Sequence, residues 1–275
     1  MERKFEAPRP ALDGRGRPVA GYSTGSVLAY SRKAIKAPPW RIKEWDYYQV
    51  SDDSVCLQLT VGHAAYAGQV SAMLFDFRKG EKLAEKNRFL VLPFGSLQMP
   101  EDAEKDHVLA YEKPGVSMRF EVAGDKRYLT CRWEDFSAEI VLTRRNPDSI
   151  VVNIPYDGYP RAFYYNQKIN CMEAAGFARF NGGEHRFQPG SAYGLLDWGR
   201  GVWPFHNEWY WSNGTGTAGG RLFGFNLGCG FGNTSATTEN MLFYNGSSHK
   251  LGAVRFELDA DYMKPWRILD GEGRL

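Results

Sequence analysis

Val116-Ser-Met-Arg-Phe-Glu-Val122 alternates strictly between apolar and polar side chains, and this rhythm decides the fold. In an extended chain successive side chains point to opposite faces, so Val116, Met118, Phe120 and Val122 make one buried face. Val55, Leu57, Leu59 and Val61 repeat the pattern, and Val254, Phe256 and Leu258 alternate with Arg255 and Glu257. Further strand candidates lie at 71–77, 128–133, 136–143, 150–154, 222–231 and 241–244. Turn-forming links separate several of them, such as Ala123-Gly-Asp-Lys126, Asn146-Pro-Asp148 and Asn245-Gly-Ser-Ser248. No long segment carries a 3.6-residue stripe, so the expectation is an all-β, antiparallel barrel or sandwich.

Working outward, residues 1–30 read as an irregular N-terminal segment. Residues 79–115 read as a loop excursion, and 153–170, with Pro155 and Pro160, break the strand rhythm. Composition shifts near residue 150, from acid/base pairs to glycine and tryptophan. This predicts a first β unit over 31–150 and a Trp-rich second unit over 151–275.

The 275 residues include 15% aromatic side chains and thirty glycines, which suits pleated surfaces joined by tight turns. A formal net charge of +2, without a Lys/Arg cluster, argues against a nucleic-acid partner. Met1-Glu-Arg-Lys-Phe-Glu6 lacks the apolar core of a signal peptide. No apolar run approaches the roughly 18 residues of a transmembrane helix. Four scattered cysteines (Cys56, Cys131, Cys171, Cys229) read as reduced thiols, so the expected location is cytoplasmic. The five histidines show no ligand spacing, so neither a metal site nor a cofactor is expected.

Chemistry concentrates at residues 195–211, where Trp198, Trp203, Trp209 and Trp211 surround Asp197, Arg200, His206 and Glu208. Buried charge is costly unless paired, so this is either a structural corner holding an Asp197–Arg200 ion pair or the wall of a small-molecule pocket. Indole faces would supply area, and the charged groups would fix orientation. Lys43-Glu-Trp-Asp-Tyr-Tyr48 reads as an edge strand with a solvated acidic face. Phe163-Tyr-Tyr-Asn-Gln-Lys168 could place Lys168 in an aromatic pocket, and Glu239 with Asn240 could project into a barrel. The glycine series 224–232 lacks the phosphate-loop pattern and reads as a strand packed closely against another backbone.

The strings Ile42-Lys-Glu-Trp-Asp-Tyr-Tyr48, Leu196-Asp-Trp-Gly-Arg-Gly-Val-Trp-Pro204 and Thr238-Glu-Asn-Met241 resemble the DUF2804 family of bacterial proteins. Phe163–Asn170, Gly228–Gly232 and Tyr262-Met-Lys-Pro-Trp266 fit as well. Family members continue with further strands, so the resemblance implies a C-terminal truncation at Leu275. Trp203-Pro-Phe-His-Asn-Glu-Trp209 is similar to a signature of the calycin-like carotenoid hydratases and tocopherol cyclases, although Phe205 and Asn207 depart from it. That likeness implies two lipocalin-like barrels or half-barrels and a hydrophobic ligand. The site expected is catalytic Asp197, His206 and Glu208 with ligand-binding Arg200, Trp203, Trp209, Trp211, Lys168 and Asn240. Binding of a hydrophobic or aromatic small molecule is the leading expectation. The alternatives are cofactor-free acid/base chemistry on such a ligand (hydration, isomerisation or cyclisation) and a carbohydrate-active protein.

Overall fold

The computed structural model describes residues 2–64, 66–91, 93 and 95–271. Strand makes up 60% of the chain and helix 2%, so sheets and the loops that join them build the core. In order the strands are β1 (Arg9–Pro10), β2 (Gly21–Ser23), β3 (Leu28–Ala29), β4 (Lys43–Ser51), β5 (Val55–Ala64), β6 (Ala67–Asp76) and β7 (Glu81–Val91). Next come β8 (His107–Lys113), β9 (Val116–Ala123), β10 (Lys126–Trp133), β11 (Phe136–Thr143), β12 (Ile150–Tyr156), β13 (Tyr159–Phe180), β14 (Gly183–Phe187) and β15 (Tyr193–Val202). The last six are β16 (Tyr210–Ala218), β17 (Arg221–Cys229), β18 (Met241–Tyr244), β19 (Ser247–Lys250), β20 (Val254–Glu257) and β21 (Arg267–Asp270).

One 13-stranded sheet runs β7-β6-β5-β4-β15-β13-β11-β10-β9-β8, with β12 and β14 paired to β13 and β2 paired to β12. Its strands are antiparallel throughout. The alternation of β9 holds residue by residue, with Met118 and Phe120 fully buried. The sheet rolls up on itself: the Tyr48 ring on β4 and the Phe120 ring on β9 pack 4.8 Å apart although four strands separate them in the sheet. Leu57, Leu59, Ile140, Leu142 and Trp198 fill the concave interior. Among the described residues no ladder joins β7 to β8, so the roll is an open half-barrel and not a closed barrel.

The opposite, convex face of β12, β13 and β15 is covered by a second sheet, β16-β17-β18-β19. A separate core lies between them, with Ile150, Val152, Tyr164, Trp203, Phe231 and Phe243. Strand β13 serves both layers through a bulge between Ile169 and Met172, where Cys171 takes a φ of 62°. An extra residue in one strand reverses its facing. Thus Phe163, Tyr165 and Ile169 enter the half-barrel before the bulge, and Met172, Ala174 and Ala178 enter it afterwards.

Three sequence expectations change. Strand β4 is central, between β5 and β15, and its acidic face is buried: Glu44 is 0% and Asp46 1% exposed. Both are held by cations, Glu44 by Arg32 and Arg200 and Asp46 by Arg200 at 2.8 Å. Residues 79–115 contain β7 and β8, and the connection between them sends Leu97, Met99 and Ala103 into the core. Residues 153–170 form the β12–β13 hairpin, with both prolines near its tip, where a missing N–H costs little. Among the described residues no helix is long and apolar enough to cross a membrane.

Candidate functional site

Glycines let aromatic rings lie flat on the convex face. A Cβ at Gly199 would stand 2.1 Å from Cζ2 of Trp45, whose indole crosses β15 at that position. The Trp203 ring meets Trp45 edge-on at 5.5 Å and Phe231 at 5.2 Å. Tyr164 packs on Phe231 at 3.9 Å, and Trp209 meets Phe231 at 5.0 Å. Trp211 is fixed by its indole N–H, which donates to Asn226 Oδ1 at 2.7 Å. Together these rings wall a cavity of about 290 Å³ between the sheets, near the lower end of ordinary ligand pockets.

The polar floor of this cavity is an ion triad. Lys168 on β13 pairs with Asp197 on β15 at 3.0 Å and with Glu239 at 3.2 Å. Asp197 lies directly across the β13–β15 ladder from Lys168. Glu239 comes from the segment between β17 and β18, and Gly228 leaves it room, since a Cβ there would stand 2.4 Å from Glu239 Oε1. The Lys168 ammonium also sits 4.6 Å from the centre of the Trp211 ring. Burial pulls the Lys168 pKa down, but the two carboxylates outweigh it and hold the group above the ordinary lysine value. Asn166 donates to Asp197 at 2.5 Å and Asn226 to Glu239 at 3.2 Å, so each acid is held by a buried amide as well.

A groove of about 250 Å³ adjoins the cavity and shares Trp45, Thr60 and Trp203 with it. Lys43 lies there, 4.4 Å from the Trp203 ring centre, and donates to the Trp203 carbonyl at 3.3 Å. Burial, reinforced by the Arg41 charge, brings its pKa down to about 8.

Of the residues expected in the site, Asp197, Lys168, Trp203, Trp209 and Trp211 line the cavity together. Arg200 does not. Three positions along a strand reverse the facing, so Arg200 points into the half-barrel while Asp197 points away from it. The Asp197–Arg200 pair therefore does not form. Arg200 bonds Asp46 and the carbonyls of Trp45, Gly199 and Pro100, and stacks 3.7 Å from the Trp198 ring centre. His206 and Glu208 sit exposed between β15 and β16, where Glu208 accepts from the Tyr210 hydroxyl at 2.8 Å. Asn240 is buried but structural: its oxygen accepts from Gly228 N–H and its amide donates to the Gly252 carbonyl. Trp45, Tyr47, Thr60, Tyr164, Phe231 and Glu239 complete the lining. The signal for Trp45 was Gly199 alone, since a Cβ at Gly201 would meet the Phe163 carbonyl instead. Glu239 was marked by its place after a glycine-rich strand, by its carboxylate and by the Thr238-Glu-Asn-Met241 string.

The architecture is all-β and lipocalin-like, an open antiparallel half-barrel covered on one face by a second sheet. A presumed AttH from Nitrosomonas europaea superposes with a TM-score of 0.56 at 14% identity, over 89% of this chain and 82% of that one. Kievitone hydratase from Nectria haematococca superposes with a TM-score of 0.54 at 9% identity, over 96% and 83%. At such identities the likeness is one of fold. The DUF2804 family, a domain of unknown function, matches residues 2–275, and the chain belongs to it. No curated protein matches the sequence.

Proposed function

We propose that this protein binds a small molecule with an apolar or aromatic body in the cavity between its two larger sheets. The observation that carries the reading is an aromatic-walled space with an ion triad as its polar floor. Large flat rings give contact area at low entropic cost, and a few fixed polar groups give orientation, the usual division of labour in ligand sites. Trp209 is half-exposed at the rim, so it is the wall residue that can be removed with least damage to the core. Solvent extraction of the purified protein should release a bound compound, and uncharged aromatic compounds should quench indole fluorescence. Trp209→Ala should weaken such binding by roughly thirtyfold, the usual effect of losing an aromatic anchor of about 2 kcal/mol. Unchanged fluorescence with every aromatic compound tried, and no extractable ligand, would refute the proposal.

A second reading is an acid/base enzyme that adds water to such a ligand. It is favoured by two carboxyl groups, Asp197 and Glu239, converging inside the cavity on one ammonium. With one of the two protonated from solvent, that acid would give its proton to the substrate while the other carboxylate takes one from the attacking water, which adds H and OH across a double bond without a cofactor. The fold likeness to kievitone hydratase agrees with this chemistry. Asp197→Asn keeps the shape and removes a proton carrier: an enzyme should retain affinity and lose turnover, whereas a binder should show no turnover to lose.

A further inference from the structure

We propose that the cavity selects an organic cation: an amine or quaternary ammonium group carried on an apolar body, with the charged end seated against Asp197 and Glu239. This rests on the ligand-binding reading above and names the ligand class. The charged groups in the lining are Lys168, Asp197 and Glu239, two carboxylates against one ammonium, for a formal charge of −1.

The exposed parts of the triad carry the excess charge. The side chains of Asp197 and Glu239 are 12% and 7% exposed, while that of Lys168 is 2% exposed. Lys168 has nothing left to offer a ligand. An ammonium has three donors, and here they face two carboxylates and the ring of Trp211. Acceptor capacity, in contrast, is left over: Asp197 and Glu239 both line the cavity and keep part of their carboxylate surface open to it. A ligand reaching the floor therefore meets acceptors and negative charge.

The walls act in the same direction. Tryptophan faces attract cations through the ring quadrupole, more strongly where water is excluded. Trp45, Trp203, Trp209 and Trp211 all border this one space. Two of these rings already hold a cation, Trp203 that of Lys43 and Trp211 that of Lys168, which leaves Trp45 and Trp209 as the faces for a ligand. Arg41 and Lys43 both donate to the Trp203 carbonyl, at 3.1 and 3.3 Å, and stand outside the cavity lining.

The test uses two compounds of one shape, 4-(trimethylammonio)phenol and 4-tert-butylphenol, titrated calorimetrically into the full chain. The cation should bind about thirtyfold more tightly, the worth of a desolvated cation–π contact. Glu239→Gln brings the formal charge of the lining to zero. It should cut the cation's advantage over the neutral phenol about tenfold. Asp197→Asn should do the same, and serves where the first variant fails to fold. Equal or tighter binding of the neutral phenol to the wild type overturns the inference and leaves the aromatic-cavity reading standing. A cation preference that persists in both folded variants overturns it as well. If neither compound binds, the inference falls, and quenching by uncharged aromatics decides separately whether the cavity reading falls with it.

Discussion

Gly199→Ala tests the construction of the site directly. Gly199 has no left-handed backbone torsion, so alanine is conformationally allowed and any effect must come from the methyl group itself. That methyl would stand 2.1, 2.2 and 2.6 Å from three atoms of the Trp45 indole, where ordinary contact begins at 3.4 Å. The ring must therefore retreat by about 1.3 Å or more, with little room for core rearrangement in a packed interior. Trp45 is also wedged against Trp203 at 5.5 Å and Tyr164 at 6.1 Å, so its retreat is into the cavity it walls. Overpacking of this kind costs about 1–3 kcal/mol. Urea unfolding should show that loss, and calorimetric titration should show weakened binding of any cavity ligand. Gly216→Ala is the matched control, with nothing within 4 Å of its added Cβ, and should leave stability and binding unchanged. If Gly199→Ala matches the wild type in both assays, the Trp45 indole does not lie across β15 and the cavity wall is wrongly placed.

Lys168→Met should destabilise the fold by about 3–5 kcal/mol, because two buried carboxylates lose their shared cation. Since the folded-state pKa of Lys168 is raised, its contribution should be present in full below the ordinary lysine value of 10.5. Unfolding measured up the alkaline limb should show it fading only as pH rises past that value towards the folded pKa. His63 behaves oppositely: burial, with the charges of Arg32 and Arg200, lowers its pKa from 6.5 to about 4. The unfolded chain then binds more protons across that window, so stability should drop as pH falls from about 6.5 towards 4, by about 2 kcal/mol at pH 5. His63→Gln should flatten this acid dependence in urea titrations, and an unchanged slope would discard the assignment.

The β architecture was legible because period-two alternation is a local property, visible in β5, β9 and β20 from their own residues. The location of β4 was not. Whether Glu44 and Asp46 face water or a core depends on β15, a strand far along the chain, and on Arg200 and Arg32 that arrive with it and with the N-terminal segment. The candidate site was legible in part for the same reason. Asp197, Trp203, Trp209 and Trp211 stand out by composition, but the strand period that sends Asp197 to the cavity sends Arg200 into the half-barrel. Composition also promoted His206 and Glu208, whose neighbours in sequence are aromatic but whose side chains are exposed. Glu239 needs the register of β17 and the absence of a side chain at Gly228 before its partnership with Lys168 can be inferred.

The pairing of β4 with β15 also governs how the chain comes to be folded during synthesis. The carbonyl of Trp45 and the guanidinium of Arg200 that bonds it are 155 positions apart. At translation rates of about 5–20 residues per second, β4 leaves the ribosome about 8–30 s before its partner exists. Through that interval one edge of β4 stays unpaired, with Tyr48 and Val50 on a face destined for the core. An open edge of that kind is a template for pairing with another nascent chain. The charges on β4 oppose this: until Arg200 arrives, Glu44 and Asp46 remain hydrated, and burying them against the wrong partner is costly. The acidic residues that end up neutralised inside the half-barrel would thus first act as gatekeepers, guarding the nascent strand against aggregation until its own cation is made.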